Sequence, residues 1–240
     1  MEQLKIAAQY KNLLEGFTRE LKDIYSEDLV ALILYGSAAS GEFVDKRSNL
    51  NLLIVLKNTD LESIAKSSKL ARKFKAANML FLTEDYIVNS TDIFPIEFLD
   101  LRENYLLLYG KDVLKDIQID IRNLRFQCEQ ELKSKLIKLR QAYLLLNENT
   151  PALRGLLISS FTSFLHIMRN VLRIKGRLPP YLKREVLKEL ASEFKIDLPV
   201  WEKILSAKNK EIKLTGKESG QLFISFVRDL EALVNIVDKL

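Results

Sequence analysis

Cysteine and histidine are nearly absent from this chain: Cys128 and His166 are the only ones among 240 residues. A single cysteine closes no internal disulfide, and one histidine beside one cysteine assembles no zinc cluster, so neither a disulfide scaffold nor zinc chemistry is expected. Glycine and proline are sparse, at 8 and 5, and no low-complexity tract or internal repeat breaks the chain. No apolar run approaches the roughly 20 residues that span a bilayer. From Met1 to Tyr25 charged residues alternate with apolar ones instead of forming a signal-peptide core. A cytoplasmic protein without membrane contact is expected.

What is present is the composition of a folded protein, 48% apolar and 29% charged with a mean hydropathy of −0.03, long enough for one or two domains. The net charge of +5 is unevenly spread. Residues 1–120 carry 15 Lys and Arg against 19 Asp and Glu, a net of −4, and residues 121–240 carry 22 against 13, a net of +9. The charges are mixed along helical patterns, as on solvated helix surfaces.

Patterning divides the chain into two kinds of segment. Leu4, Ala7, Ala8, Leu14, Phe17, Leu21 and Ile24 predict an amphipathic helix over 2–24. Leu29 to Tyr35 and Leu50 to Leu56 are apolar runs of buried-strand length. Helical spacing is expected over Leu61 to Ala77, a third strand over Met79 to Leu82, and a fourth over Phe94 to Leu101 with Pro95 at its start. Beyond that the alternation stops. Ile121, Leu124, Cys128, Leu132, Leu136, Leu139, Tyr143 and Leu146 mark one long helix, and Thr150-Pro151 opens another that ends near Gly176. Shorter helices are expected at Tyr181 to Phe194, Pro199 to Ala207 and Glu218 to Lys239, making a bundle. The boundary is expected between Gly110 and Asp120, with domains of residues 1–115 and 116–240.

One motif carries chemistry. Strand residues Leu32 to Tyr35 run into Gly36-Ser37-Ala38-Ala39-Ser40-Gly41, a small-residue turn framed by two glycines. Such a turn lets backbone N–H groups approach an anion closely, and the Ser37 hydroxyl adds a donor. Ser48-Asn49-Leu50-Asn51-Leu52-Leu53-Ile54-Val55-Leu56 follows, with Asn49 and Asn51 at period-two spacing on one strand face. Together the two segments resemble the DNA polymerase β-type nucleotidyltransferase superfamily, especially its kanamycin nucleotidyltransferase-like and minimal members. The resemblance covers roughly residues 28–112. It implies an α/β (α+β) nucleotidyltransferase-type domain with a mixed sheet, followed by an all-α bundle that binds substrate or a partner.

In that family Gly-Ser is followed by Asp-X-Asp, whose carboxylates hold magnesium against a nucleotide triphosphate, and a later strand supplies a third acid. Here Asn49 and Asn51 stand at the two aspartate positions. Neutral amides do not offset the charge of two magnesium ions, so no metal ligand set is expected to survive and most two-metal catalysis is expected to be lost. The remnant third carboxylate is Glu97, or Asp100 if the register differs. The implied nucleotide-binding residues are Gly36, Ser37, Gly41, Arg47, Asn49 and Asn51, and Asp45 in the intervening loop is the nearest spare acid.

The resemblance therefore implies a catalytically degenerate protein that retains weak nucleotide binding and acts through its helical domain. The alternatives are an active enzyme that transfers a nucleoside monophosphate to a small molecule or protein through displaced carboxylates, and a self-associating interaction module. The basic residues Arg169, Arg173, Lys175, Arg177, Lys183 and Arg184 are expected to form a surface for a protein partner. A nucleic-acid site is not expected there, because no aromatic stacking pattern accompanies them. His166 lies in an apolar helical segment and is expected to be partly buried and structural.

Overall fold

The computed structural model describes residues 8–40, 43, 49–75, 77–146, 150–180 and 182–240. The chain divides into two compact units, Met1–Asp120 and Ile121–Leu240.

The first unit is built on a four-stranded sheet in the order β3-β2-β1-β4. Its strands are β1 (Leu29–Tyr35), β2 (Leu50–Leu56), β3 (Ala77–Leu82) and β4 (Tyr105–Gly110). Around them lie α1 (Ala8–Tyr25), a single turn α2 (Ser37–Ser40), α3 (Leu61–Ala65), α4 (Ser68–Lys73), α5 (Glu84–Asn89) and α6 (Pro95–Glu103). β1 runs antiparallel to both β2 and β4, and β2 runs parallel to β3. Both sheet faces are covered, which is why β1 and β2 are apolar runs instead of alternating patterns. Leu32, Leu34, Leu52 and Ile54 pack with Leu14, Phe17 and Leu21 of α1 and with Leu70 of α4. Ala31, Ile33, Leu53 and Val55 pack with Ile87 of α5, with Phe98 and Leu101 of α6, and with Val113, Leu114 and Ile117.

Two expectations need correction. Phe94 to Leu101, expected as a strand, is the helix α6, with Pro95 in its first turn where a missing N–H costs nothing. The fourth strand is Tyr105–Gly110 instead. A short apolar run does not distinguish helix from strand by periodicity, and Ile96, Phe98, Leu99 and Leu101 satisfied both templates. The single helix expected over Leu61 to Ala77 is also divided. At the break, Ser67 is buried and its hydroxyl meets the Tyr25 hydroxyl at 2.5 Å.

The second unit is all helical: α7 (Ile121–Leu145), α8 (Thr150–Ile174), α9 (Lys183–Phe194), α10 (Leu198–Lys208) and α11 (Gly216–Val237). Its core contains Leu124, Leu132, Leu157, Phe161, Val171, Leu190 and Leu230, all buried. Trp201 lies 5.8 Å from Phe161 and 4.8 Å from Phe226, centroid to centroid. Its indole N–H donates to Asp229 Oδ2 at 2.9 Å, an oxygen that also accepts from the Asp197 N–H at the start of α10. Asp229 is thus a buried carboxylate with two donors, which is how such a group escapes the penalty of burial. α11 opens with a capping box between Thr215 and Glu218. No helix among the described residues is long and apolar enough to cross a membrane.

Two glycines make opposite demands. Gly110 ends β4 at φ +83, and a Cβ there would sit 2.0 Å from the Val30 carbonyl oxygen, whereas Gly155 within α8 has nothing within 4 Å. Gly110→Ala is expected to destabilise the fold by about 3 kcal/mol through backbone overlap at a left-handed position. Gly155→Ala is expected to stabilise it by about 0.5–1 kcal/mol by removing a helix-interior glycine. Urea midpoints measure both, and a Gly110→Ala midpoint within error of the natural protein would refute the close approach.

Candidate functional site

The site begins where β1 stops. Gly36 follows Tyr35 at φ +73, a left-handed conformation that glycine adopts without strain, and turns the chain into α2. Its N–H donates to the Asn104 carbonyl at 3.1 Å, and its own carbonyl accepts from Ala39 and Ser40, each at 3.0 Å. Ala38 is buried under the sheet, so the turn is anchored from below. The N–H groups of Ser37 and Ala38 lie outside these turn bonds, where the first helical donors always lie.

Strand pairing lines up the neighbours. Asn51 is opposite Tyr35, Asn78 of β3 is opposite Asn51, and Tyr105 of β4 is opposite Tyr35 on the other side. Register partners project from the same sheet face, so Tyr105, Tyr35, Asn51 and Asn78 form one row across the sheet. The turn meets that row: a Cβ on Gly36 would lie 3.0 Å from Asn51 Nδ2. Asn78 Nδ2 donates to Asn51 Oδ1 at 3.5 Å. Asn49 is exposed, immediately before β2. Asn78 is a further amide that sequence reasoning missed. Its only sequence signal is a polar residue heading an apolar strand, and the parallel pairing of β3 with β2 gives it meaning.

The expected carboxylates are not strand residues. Glu97 and Asp100 stand on the helix α6 and not on a strand. Gly41, Asp45, Lys46 and Arg47 lie outside the described residues. Among the described residues no three His, Cys, Asp or Glu side chains are grouped to hold a metal ion. Of the basic residues, Arg173 is buried and donates to Asn170 Oδ1, Arg177 reaches Glu193 at 3.4 Å, and Arg184 reaches Glu211 at 2.5 Å. His166, expected to be partly buried, is exposed, because Leu165, Ile167 and Met168 take the inward positions of α8.

The row's titratable groups are both phenols. Burial pushes the Tyr35 hydroxyl up from its ordinary value. Tyr105 is pushed up to about 12, first by burial and then by Asp112, whose two oxygens accept its proton at 2.9 and 2.8 Å and whose charge opposes the phenolate. Asp112 also accepts from the Leu114 and Lys115 N–H groups, so it is fixed in place. At neutral pH the row is therefore a set of uncharged hydrogen-bonding groups.

No model of a known protein family matches the chain, and no curated protein matches it. Among solved structures it is similar to the spectinomycin adenyltransferase AAD(9) from Enterococcus faecialis with ATP and spectinomycin, at 12% identity and a TM-score of 0.58. The match covers 92% of this chain and 99% of that one. At this identity the likeness concerns the fold: a nucleotidyltransferase-type domain with a mixed four-stranded sheet, then a helical domain.

The Tyr105 pairing predicts a pH response. Its folded value lies above the ordinary 10.0, so its stabilising contribution is intact below pH 10.0 and is lost as pH rises through about 12. Absorbance titration is expected to show a tyrosine ionising near pH 12, and Asp112→Asn is expected to lower that transition. An unchanged titration in Asp112→Asn would show that the carboxylate does not hold this phenol.

Proposed function

We propose that this protein is a nucleotidyltransferase-fold chain that has lost metal-dependent nucleotidyl transfer and retains a nucleotide-binding turn. The observation that carries the reading is the contact of Gly36 with Asn51: the phosphate-facing turn keeps its left-handed glycine, and the strand position it touches holds an amide. Magnesium, the ion the resemblance implies, takes hard oxygen ligands and needs their negative charge. The donor set does not fit it, because Asn49, Asn51 and their strand neighbour Asn78 are all neutral. Two-metal transfer relies on the ions to activate the attacking oxygen and to stabilise the departing pyrophosphate, so their loss removes the main catalytic contribution. The solved neighbour was captured with ATP and a small molecule, which supports a nucleotide and a small molecule as the ligand classes for this chain.

Pyrophosphate release measures this. With ATP, GTP, CTP or UTP and magnesium or manganese, no turnover above background is expected. Asn49→Asp combined with Asn51→Asp is expected to create magnesium-dependent nucleotide binding, because these are the two positions at which the resemblance implies carboxylates. Turnover by the natural protein that disappears in Asp45→Ala or Glu97→Ala would establish the active-enzyme alternative with displaced carboxylates.

One observation favours a second role for the helical half. Tyr143 stacks on Phe223 at 4.9 Å, and Leu144 and Ile224 stay 80% and 66% exposed on the same pair of helices. Arg140 bridges to Glu231 at 2.8 Å beside them, and Arg228 lines the same groove. An apolar seam flanked by both signs of charge complements its own image about a two-fold axis, which supports pairing with a second copy. Sedimentation is expected to show a dimer that Leu144→Glu with Ile224→Glu converts to a monomer of unchanged melting temperature. A natural protein that is monomeric throughout the micromolar range would eliminate this role.

A further inference from the structure

Asn51 is oriented by its neighbours. Its Oδ1 accepts from Asn78 Nδ2 at 3.5 Å, across the parallel pairing of β2 and β3. Its Nδ2 is the atom that faces Gly36, 3.0 Å from where a Cβ would be. The carbonyl oxygen is thereby turned along the sheet, and the N–H₂ group is turned toward the turn. A cation site requires the reverse, with oxygen presented to the ligand. An N–H donor presented instead favours an acceptor, and the strongest acceptors of the nucleotide class are phosphate oxygens.

The surrounding row points the same way. Each amide nitrogen carries two hydrogens, so Asn78 keeps one donor after its bond to Asn51. Tyr35, the next residue in the row, stays protonated because burial holds its hydroxyl above the ordinary range, so it brings no negative charge beside Asn51. The carboxylate that borders the row at its far end, Asp112, is already engaged by the Tyr105 hydroxyl and by the Leu114 and Lys115 N–H groups. We infer that this site takes the phosphates of a nucleotide directly, as the metal-free anion, through the Asn51 amide held by Asn78. A divalent ion then contributes nothing: it screens the charge that the donors recognise and finds no anionic oxygen in the row to receive it.

This inference rests on the nucleotide-binding reading above, and one calorimetric series separates the failure of each. ATP is titrated into the full chain in EDTA and again in excess magnesium, with adenosine as a parallel probe. The expected result is ATP affinity in EDTA equal to or tighter than in magnesium, with adenosine about tenfold weaker or more. Asn51→Leu, which removes the donors without adding charge, is expected to lower the EDTA affinity about tenfold, the size of a lost hydrogen bond to a charged group. Asn51→Asp is expected to abolish it, and thermal melts without ligand establish that both variants fold. ATP binding that appears only with magnesium would overturn the metal-free mode and leave the nucleotide reading standing. So would EDTA binding that Asn51→Leu leaves intact or that adenosine matches. Absence of ATP binding at millimolar concentration in both buffers would overturn both.

Discussion

The first unit depends on β1 being paired on both edges at once. Its ladder to β2 and its ladder to β4 pair the backbone of a strand whose two faces are both buried, where an unpaired polar group would be costly. Those two registers also fix everything at the strand's end. Because Tyr35 pairs with Asn51, the residue after it must turn beside the Asn51 side chain, and only a residue without Cβ makes that approach in a left-handed conformation without strain. The candidate site is thus a by-product of strand register. Shifting β2 by one residue would exchange the faces of Asn51 and Leu52 and bury an amide in the α1 core.

The chemistry of that end is set by charge more than by shape. The glycine turn, the amide of Asn51 and the neighbouring parallel strand meet at one end of the sheet. An amide and a carboxylate have nearly the same volume and differ in what they attract. Clustered carboxylates without a metal repel one another, a cost that neutral amides do not carry. β2 and β3 stay paired through Asn51 and Asn78 as far as Leu50 and Ala77.

Much of this was legible in the residues. β1 and β2 stand out as apolar runs, and the two long helices of the second unit follow from apolar residues every three or four positions. α6 was misread because its nine residues are too few for period alone to decide, and the proline at its start is compatible with a strand edge as well as a helix start. That error carried Glu97 and Asp100 onto a strand they do not occupy. Asn78 was hidden for a different reason: its relation to Asn51 exists only through the parallel pairing of segments 27 residues apart, which no local pattern encodes. The partners of Arg177 and Arg184 were equally invisible, because the acids they reach stand 16 and 27 residues away.

The burial of Trp201 has an optical consequence. It is the chain's one tryptophan, enclosed by Phe161 and Phe226 with its indole N–H bound to Asp229. Emission excited at the red edge of protein absorbance therefore originates wholly in the helical unit, from a dry environment with a fixed carboxylate against the ring nitrogen. It is a site-specific reporter of that unit's melting. Trp201 emission is therefore a label-free signal of one half of the chain, since the sheet unit carries no tryptophan.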